Sequence, residues 1–232
     1  MGRKTFVFDC GGVLLRNDTQ DPVYAAWETR LGLPEGSLKA RLWSGEIWEQ
    51  AEIGQISEEQ YWQRSGAALG IDDPALIAEL AEALWASWTL DTRVLAMVDR
   101  IRERHPLAML SNATTALEER LERQFGIADR FATIVNSARV GLAKPDPAIY
   151  QALLEQLAVP ARDTVFIDDR AENIAAAAAK GMHVIWYVGA DEPERQLKVY
   201  LNGHAAGDED DHNGNGHKGN GHEPLDDPDS DD

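Results

Sequence analysis

Short apolar runs alternate along the chain with longer stretches whose apolar residues recur at helical spacing. The runs are 5–8 (TFVF), 107–110 (LAML), 131–135 (FATIV), 164–167 (TVFI) and 183–188 (HVIWYV). Each is short and bounded by polar turns, which favours a buried strand over a helix. Helical patterns fall at about 91–104, 115–125, 147–158, 171–180 and 192–201. Strands alternating with helices predict an α/β fold, with a parallel sheet covered on both faces.

The alternation breaks once. Between Asp18 and about Leu90 no strand pattern occurs. Helix-like segments at about 21–31, 35–50, 57–69 and 74–88 are divided by Gly32-Leu33-Pro34, Gly54 and Gly70, which predicts a helical insertion after the first strand. Trp27, Trp43, Trp48, Trp62 and Trp85 lie in it, with Trp88 at its edge. Large aromatics mostly pack, so the first reading is core filling. The sharper reading has Trp43 or Trp48 lining a substrate pocket.

Charge and composition narrow the possibilities. The net charge is −18, and residues 203–232 hold ten Asp/Glu against one Lys, so that segment carries half of it. This tail, with its NGNGHKGNGH stretch and PLDDPDSDD end, is acidic and nearly free of apolar residues, which predicts disorder. His212, His217 and His222 recur every five residues in it, as weak metal ligands or as part of a solvated linker. An acidic body repels nucleic acid and anionic membranes, so neither is an expected partner, and any phosphate site must be locally positive. One cysteine, Cys10, excludes an intrachain disulfide. No run of about 18 apolar residues and no signal-like N-terminus is seen, and a cytoplasmic location is expected.

The candidate chemistry lies where the polar residues fall. Asp9 directly follows TFVF, Ser111 and Asn112 follow LAML, and Asp168 and Asp169 follow TVFI. Lys144 lies in the loop after FATIV, just before a helix. In a parallel sheet these positions share the carboxyl edge, where ligands bind in open α/β folds. Helix capping is the alternative for some of them. Asp169-Arg-Ala-Glu172 reads as a capping box, Asp146 before Pro147 as an N-cap, and Thr115 with Glu118 as another box. Capping accounts for neither Asp168 nor Asp9, which is followed by two glycines, and a buried strand-end carboxylate needs a cation or several donors.

Three clustered carboxylates repel and raise one another's pKa. A hard divalent cation removes the conflict, and Mg²⁺ favours a few carboxylates with waters and substrate oxygens. Gly11 and Gly12 let the backbone approach an anion. Ser111 offers a hydroxyl, Asn112 an amide and Lys144 a compact positive charge. Carboxylate nucleophile, metal, donors and lysine together describe phosphoryl transfer.

At these residues the chain resembles the haloacid dehalogenase-like hydrolases. Their four motifs match FVFDCGGVL (6–14), LSNA (110–113), GLAKPDPAIY (141–150) and FIDDRAENI (166–174), across about residues 4–201. The resemblance implies a Rossmann-like core of residues 1–17 and 91–202, with strand order 5-4-1-2-3. It implies an inserted helical cap over 18–90 and leaves 203–232 as the tail. Asp9 would attack phosphorus and form an aspartyl-phosphate. Asp9, the Gly11 carbonyl and Asp169 would hold Mg²⁺, with Asp168 ligating directly or through water. Gly11, Gly12, Ser111, Asn112 and Lys144 would bind phosphate, with Ser111 and Lys144 stabilising the transition state. Asn173 supports the metal site or is a plain helix-surface residue. The expected substrate is a small phosphate ester.

One position departs from the family pattern. Family phosphatases usually carry a second Asp two residues after the nucleophile, as general acid and base, and here Gly11 stands there. Losing such a group costs on the order of 10²–10⁴ in rate. Either a cap residue or water supplies the proton, or the leaving group is less basic, such as the anomeric oxygen of a sugar 1-phosphate, or the enzyme is impaired. The DxGxV pattern with this cap resembles a sugar-phosphatase subgroup. The competing functions are a metal-free 2-haloacid dehalogenase and a non-catalytic module that binds a phosphometabolite or a protein.

Overall fold

A computed structural model describes residues 3–17, 22–188 and 195. Apart from Arg195, the predicted helix at 192–201 lies outside the described residues, as does the acidic tail with its three histidines. The core is a five-stranded parallel sheet. Its strands are β1 (Thr5–Phe8), β4 (Leu107–Ser111), β5 (Thr133–Asn136), β6 (Thr164–Asp168) and β7 (His183–Trp186). Their order is β5-β4-β1-β6-β7, the order expected. A two-stranded antiparallel ribbon joins β2 (Leu15–Arg16) to β3 (Thr89–Leu90).

Side chains alternate across each strand and feed two cores. Phe6 and Phe8 join Met109, Val165 and Ile167 under α6 (Thr92–Arg102) and α7 (Leu117–Arg123). Val7, Leu110 and Phe166 join Ile149, Tyr150 and Leu153 on the opposite face, under α9 (Pro147–Leu157) and α10 (Ala171–Ala179). A sheet covered on both faces needs nearly continuous apolar strands, and β1, β4 and β6 are buried throughout.

Among the described residues, five helices lie between the ribbon strands: α1 (Pro22–Leu31), α2 (Ser37–Leu42), α3 (Glu46–Glu52), α4 (Glu58–Ala68) and α5 (Pro74–Ser87). They enclose a core of their own, built on Trp27, Leu38, Leu42, Tyr61, Leu80 and Leu84. The predicted 35–50 helix is two helices, because Gly45 takes φ 81° and turns the chain between them. Ser57 and Gln60 form a reciprocal capping box that starts α4, and Asp73 before Pro74 caps α5. At the ribbon, the Asp91 N–H donates to the Leu14 carbonyl at 2.9 Å, and its side chain caps α6 and pairs with Arg16 at 3.0 Å. This ties the exit of the insertion to its entrance. Among the described residues, no helix is long and apolar enough to cross a membrane.

Elsewhere the pattern was displaced rather than wrong. Phe131 packs under the sheet after a short 3-10 turn, and the strand begins at Thr133. Asn136 then ends the strand and caps the short helix α8 (Ser137–Val140), donated to by Ala138 N. The sequence showed no pattern for so short a helix.

Candidate active site

Register fixes the first part of the site. Phe8 lies opposite Ile167 on β6 and Met109 on β4. The residues that follow, Asp9 and Asp168, therefore emerge side by side, and Ser111 ends the strand on the other flank. The Asp9 N–H extends the ladder by donating to the Ile167 carbonyl at 2.8 Å.

The chain then turns back sharply. Leu14 and Leu15 N–H groups both donate to the Cys10 carbonyl. Gly12 sits in this turn at φ +85°, and a Cβ there would lie 2.2 Å from Asp169 Oδ2. Only glycine satisfies both the backbone angle and the approach of that carboxylate. Gly11 differs, because a Cβ there would meet the Trp88 ring at an ordinary 3.8 Å.

Lys144 is the electrostatic centre. Its buried Nζ lies 2.7 Å from Asp9 Oδ1 and 2.7 Å from Asp168 Oδ2. Asn112 holds the backbone on which Lys144 sits: its Nδ2 donates to the Lys144 carbonyl and its Oδ1 accepts from the Lys144 N–H, both at 2.8 Å. Burial alone would push the ammonium's pKa down, but the charges of Asp9 and Asp168 outweigh it and hold the pKa above the usual lysine value.

Asp168 is wholly buried and saturated. It accepts from Lys144 Nζ, from the Arg170 N–H at 2.8 Å and from Asn173 Nδ2 at 3.0 Å. Asp169 does not cap α10, whose N-cap is Arg170 with no side-chain bond. Asp168 takes the Arg170 N–H instead, which leaves the Asp169 carboxylate turned toward Gly12. The expected box at Thr115 and Glu118 is also absent. Thr115 Oγ1 accepts from the Glu58 N–H, and Glu118 accepts from Asn136. The Asp146 cap forms as expected, accepting from Ala148 N at 2.8 Å.

One ligand atom each from Asp9, Asp168 and Asp169 lies within 4.8 Å of the others. Burial raises the Asp9 carboxyl strongly; Lys144 opposes the shift, and Asp168 and Asp169 add to it. Burial and Asp168 likewise raise Asp169. Lys144 offsets one of three negative charges, so the cluster retains an excess that a hard divalent cation matches. Asn173 Oδ1, buried beside Asp168 with no hydrogen-bond partner, is a further oxygen suited to a metal-bound water. The donor set is all oxygen, which fits Mg²⁺. Burial pushes the Cys10 thiol far above its usual value, so it stays protonated and is no nucleophile.

A cavity of about 440 Å³ opens over this cluster. Asp9, Gly11, Gly12, Ser111, Asn112, Lys144 and Asp169 all line it, while Asp168 lies beneath. The helical insertion supplies the far wall. Both Trp43 and Trp48 line the cavity and also pack edge to face on each other, at 5.1 Å between ring centroids, so the two readings of these residues hold together. Trp85, Trp88, Lys39 and Glu52 join the wall. Sequence reasoning did not single out Lys39 or Glu52 and took Trp85 and Trp88 as filling. Nothing in their spacing tells which insertion residues face the sheet edge.

The insertion rests on the core through specific contacts. Glu58 accepts from Thr114 Oγ1, and its N–H donates to Thr115 Oγ1 at 3.3 Å. Gly54 lies so close that a Cβ would fall 2.0 Å from the Ala138 carbonyl oxygen.

A sequence model of haloacid dehalogenase-like hydrolases matches residues 3–181. The sesquiterpene phosphatase of Aspergillus oryzae is 28% identical over 180 residues, covering 77% of this chain and 87% of that protein. The D-ribitol-5-phosphate phosphatase of Bacteroides thetaiotaomicron is 24% identical over 208 residues, covering 86% and 98%. Two other relatives are longer proteins, of which the chain spans 18% and 36%. Among solved structures, a HAD family enzyme from Bacteroides thetaiotaomicron, in complex with magnesium and inorganic phosphate, matches with a TM-score of 0.69 at 22% identity. The match covers 84% of this chain and 99% of that one, and shows a shared fold.

Proposed function

The chain belongs to the haloacid dehalogenase-like hydrolase family, and from that premise we propose that it is a Mg²⁺-dependent phosphatase of small phosphate monoesters. The observation that carries this reading is the grouping of Asp9, Asp168 and Asp169 within 4.8 Å, with Lys144 bridging two of them. A dehalogenase that works without metal gains nothing from such a cluster, and the like charges would burden its fold.

Asp9 is the nucleophile. Its Oδ1 is held by Lys144 and by the Cys10 N–H at 2.7 Å, which leaves Oδ2 for attack on phosphorus. Asp9, the Gly11 carbonyl and Asp169 hold the ion, and Asp168 fixes Lys144 and Asn173 from below. When bound, Mg²⁺ supplies positive charge against the phosphoryl oxygens. Lys144 and Ser111 bind the same oxygens, and Asn112 holds the Lys144 backbone in place for this. The turn at Gly11 brings its N–H to them, the Gly12 N–H being spent on the Leu15 carbonyl. The attack yields an aspartyl-phosphate and the free alcohol, and water then releases inorganic phosphate.

The helical insertion serves as a cap. It closes the cavity against macromolecules and water, which limits the substrate to a small molecule. Two phosphatases among the relatives act, by their names, on a sesquiterpene and on ribitol 5-phosphate. The cavity suits a substrate of mixed character, with four indoles on its walls and Lys39, Asn17 and Arg170 as polar partners. A sugar phosphate, whose faces stack on indoles and whose hydroxyls need donors, is within that class.

The test is phosphate release from a panel of metabolite phosphates with Mg²⁺, beside an Asp9→Asn control. Turnover that D9N lowers by at least about 10³-fold is expected, the scale of losing a covalent nucleophile. Wild-type protein that folds, binds Mg²⁺ and releases no phosphate from any ester would refute the reading.

A further inference from the structure

We infer that Glu52, on the helical insertion, is the proton donor and acceptor of the reaction, in the role for which Gly11 has no side chain. The inference rests on the phosphatase reading above. An alkoxide is too basic to leave phosphorus unassisted, so an acid must reach the leaving oxygen.

The cavity narrows the choice. Among the described residues that line it, the carboxyls are Asp9, Asp169 and Glu52, and the first two belong to the acid cluster. Among the described residues, no histidine or tyrosine lines it. Lysine and arginine remain charged at neutral pH and act there as anion binders.

Glu52 also stands on the appropriate side. It ends α3, and its Oε2 accepts from Asn112 Nδ2 at 3.1 Å. Asn112 is the side chain that clasps the Lys144 backbone, so Glu52 is one hydrogen bond from the phosphate-binding loop. Asp9 approaches from the sheet edge and Glu52 from the insertion across the cavity. In-line displacement sends the leaving oxygen away from the nucleophile, toward that wall.

The surroundings suit an acid. Glu52 is half-buried, and burial pushes its carboxyl above the usual range. The Asn112 amide, the Arg170 charge and the Trp48 indole pull it down, and Glu49 on the same helix pushes it up; burial prevails. A bound phosphate dianion adds a further upward push.

The step balances. Asp9 forms its bond to phosphorus as the ester P–O bond breaks, and that bonding pair stays on the leaving oxygen. The Glu52 proton joins it, giving the neutral alcohol. The Glu52 carboxylate then takes a proton from the water that attacks the aspartyl-phosphate. Inorganic phosphate leaves, and both carboxyl groups return to their starting states.

The experiment compares an alkyl phosphate with 4-nitrophenyl phosphate, whose leaving group needs no proton, in wild type and Glu52→Gln with Mg²⁺ present. E52Q is expected to lose about 10²-fold or more in kcat/KM on the alkyl ester and to keep kcat/KM on the aryl ester within about threefold, because kcat/KM reports the transfer to Asp9 and not the hydrolysis that both esters share. The wild-type alkyl-to-aryl ratio of kcat/KM is expected to fall as pH rises through the Glu52 ionisation. That measurement decides the matter should E52Q fail to fold. Equal losses of kcat/KM on both esters, an unchanged kcat/KM on the alkyl ester, a pH-independent ratio, or a wild type active on the aryl ester alone would each overturn the role. Wild-type inactivity on both esters would instead strike the phosphatase reading beneath it.

Discussion

The turn after the nucleophile gives a sharp contrast between two adjacent glycines. Gly12 has φ +85°, and a Cβ there would sit 2.2 Å from Asp169 Oδ2 and 2.6 Å from its Cγ. Gly12→Ala thus has two consequences. The left-handed backbone costs about 1–2 kcal/mol for a residue with a Cβ. The Asp169 carboxylate must also rotate away, and with it goes a ligand of the cation. Gly36 separates the two effects, because it has φ +76° in the left-handed region and nothing within 4 Å of its Cβ position. G12A and G36A should lose similar stability, roughly 2–4 °C in Tm per kcal/mol for a domain of this size. Only G12A should weaken Mg²⁺, by on the order of 10–100-fold, the scale seen when the geometry around a metal ligand is lost.

Gly11→Ala is expected to behave oppositely. Its backbone is outside the left-handed region, and its Cβ would rest 3.8 Å from the Trp88 ring. Alanine at a compatible site stabilises by about 0.4–1 kcal/mol through the unfolded chain. The assays are thermal unfolding of metal-free protein and the Mg²⁺ concentration for half-maximal phosphate release. Wild-type Mg²⁺ dependence in G12A, or equal damage in G11A, would refute this account of the turn.

Three further outcomes follow from the same structure. Chelation should abolish turnover and Mg²⁺ restore it. The ion should also stabilise the fold, by about 2.7 kcal/mol at a hundred times its Kd, read as a rise in Tm. His105 stacks edge-on to Phe6 at 5.1 Å, and burial holds its pKa below the ordinary 6.5. The unfolded chain therefore binds a proton there before the folded one does, so stability should fall as pH drops below about 6.5. His105→Gln should flatten that part of a urea-midpoint profile, and an unchanged profile would remove the argument. Gly54→Ala places a Cβ 2.0 Å from the Ala138 carbonyl oxygen at φ +71°, whereas Gly36 at φ +76° has nothing near. G54A should therefore raise KM by levering the insertion off the core. G36A should show only the backbone cost in Tm, and equal KM values would refute the lever.

The core half of the site was legible in the sequence because strand ends in a parallel sheet are tied to one another. Once TFVF, LAML and TVFI are strands, hydrogen-bond register leaves Asp9, Ser111 and Asp168 no choice but one edge. The same logic told Asp168 from Asp169 poorly, because adjacent residues at a strand end point to different faces and a capping pattern fits either. The structure resolves it through one backbone N–H. Arg170 donates to Asp168, and the Asp169 carboxylate turns toward Gly12.

The insertion half was not legible, and the reason is physical. Helical periodicity gives the face that packs inward on the insertion's own core, but not the part that meets the sheet edge. That part is fixed by how the whole unit docks, through Glu58 on Thr114 and Gly54 against Ala138. Glu52 lies at the end of a seven-residue helix, and no pattern in the chain marks it. Yet the chemistry demanded something of its kind, since Gly11 offers no acid and, among the described residues that line the cavity, the core supplies no other carboxyl outside the cluster of Asp9 and Asp169. A core that lacks this acid can protonate an alkoxide only when the insertion is docked. Proton transfer would then be coupled to closure of the cavity, and water reaching the open site would find the nucleophile without the acid.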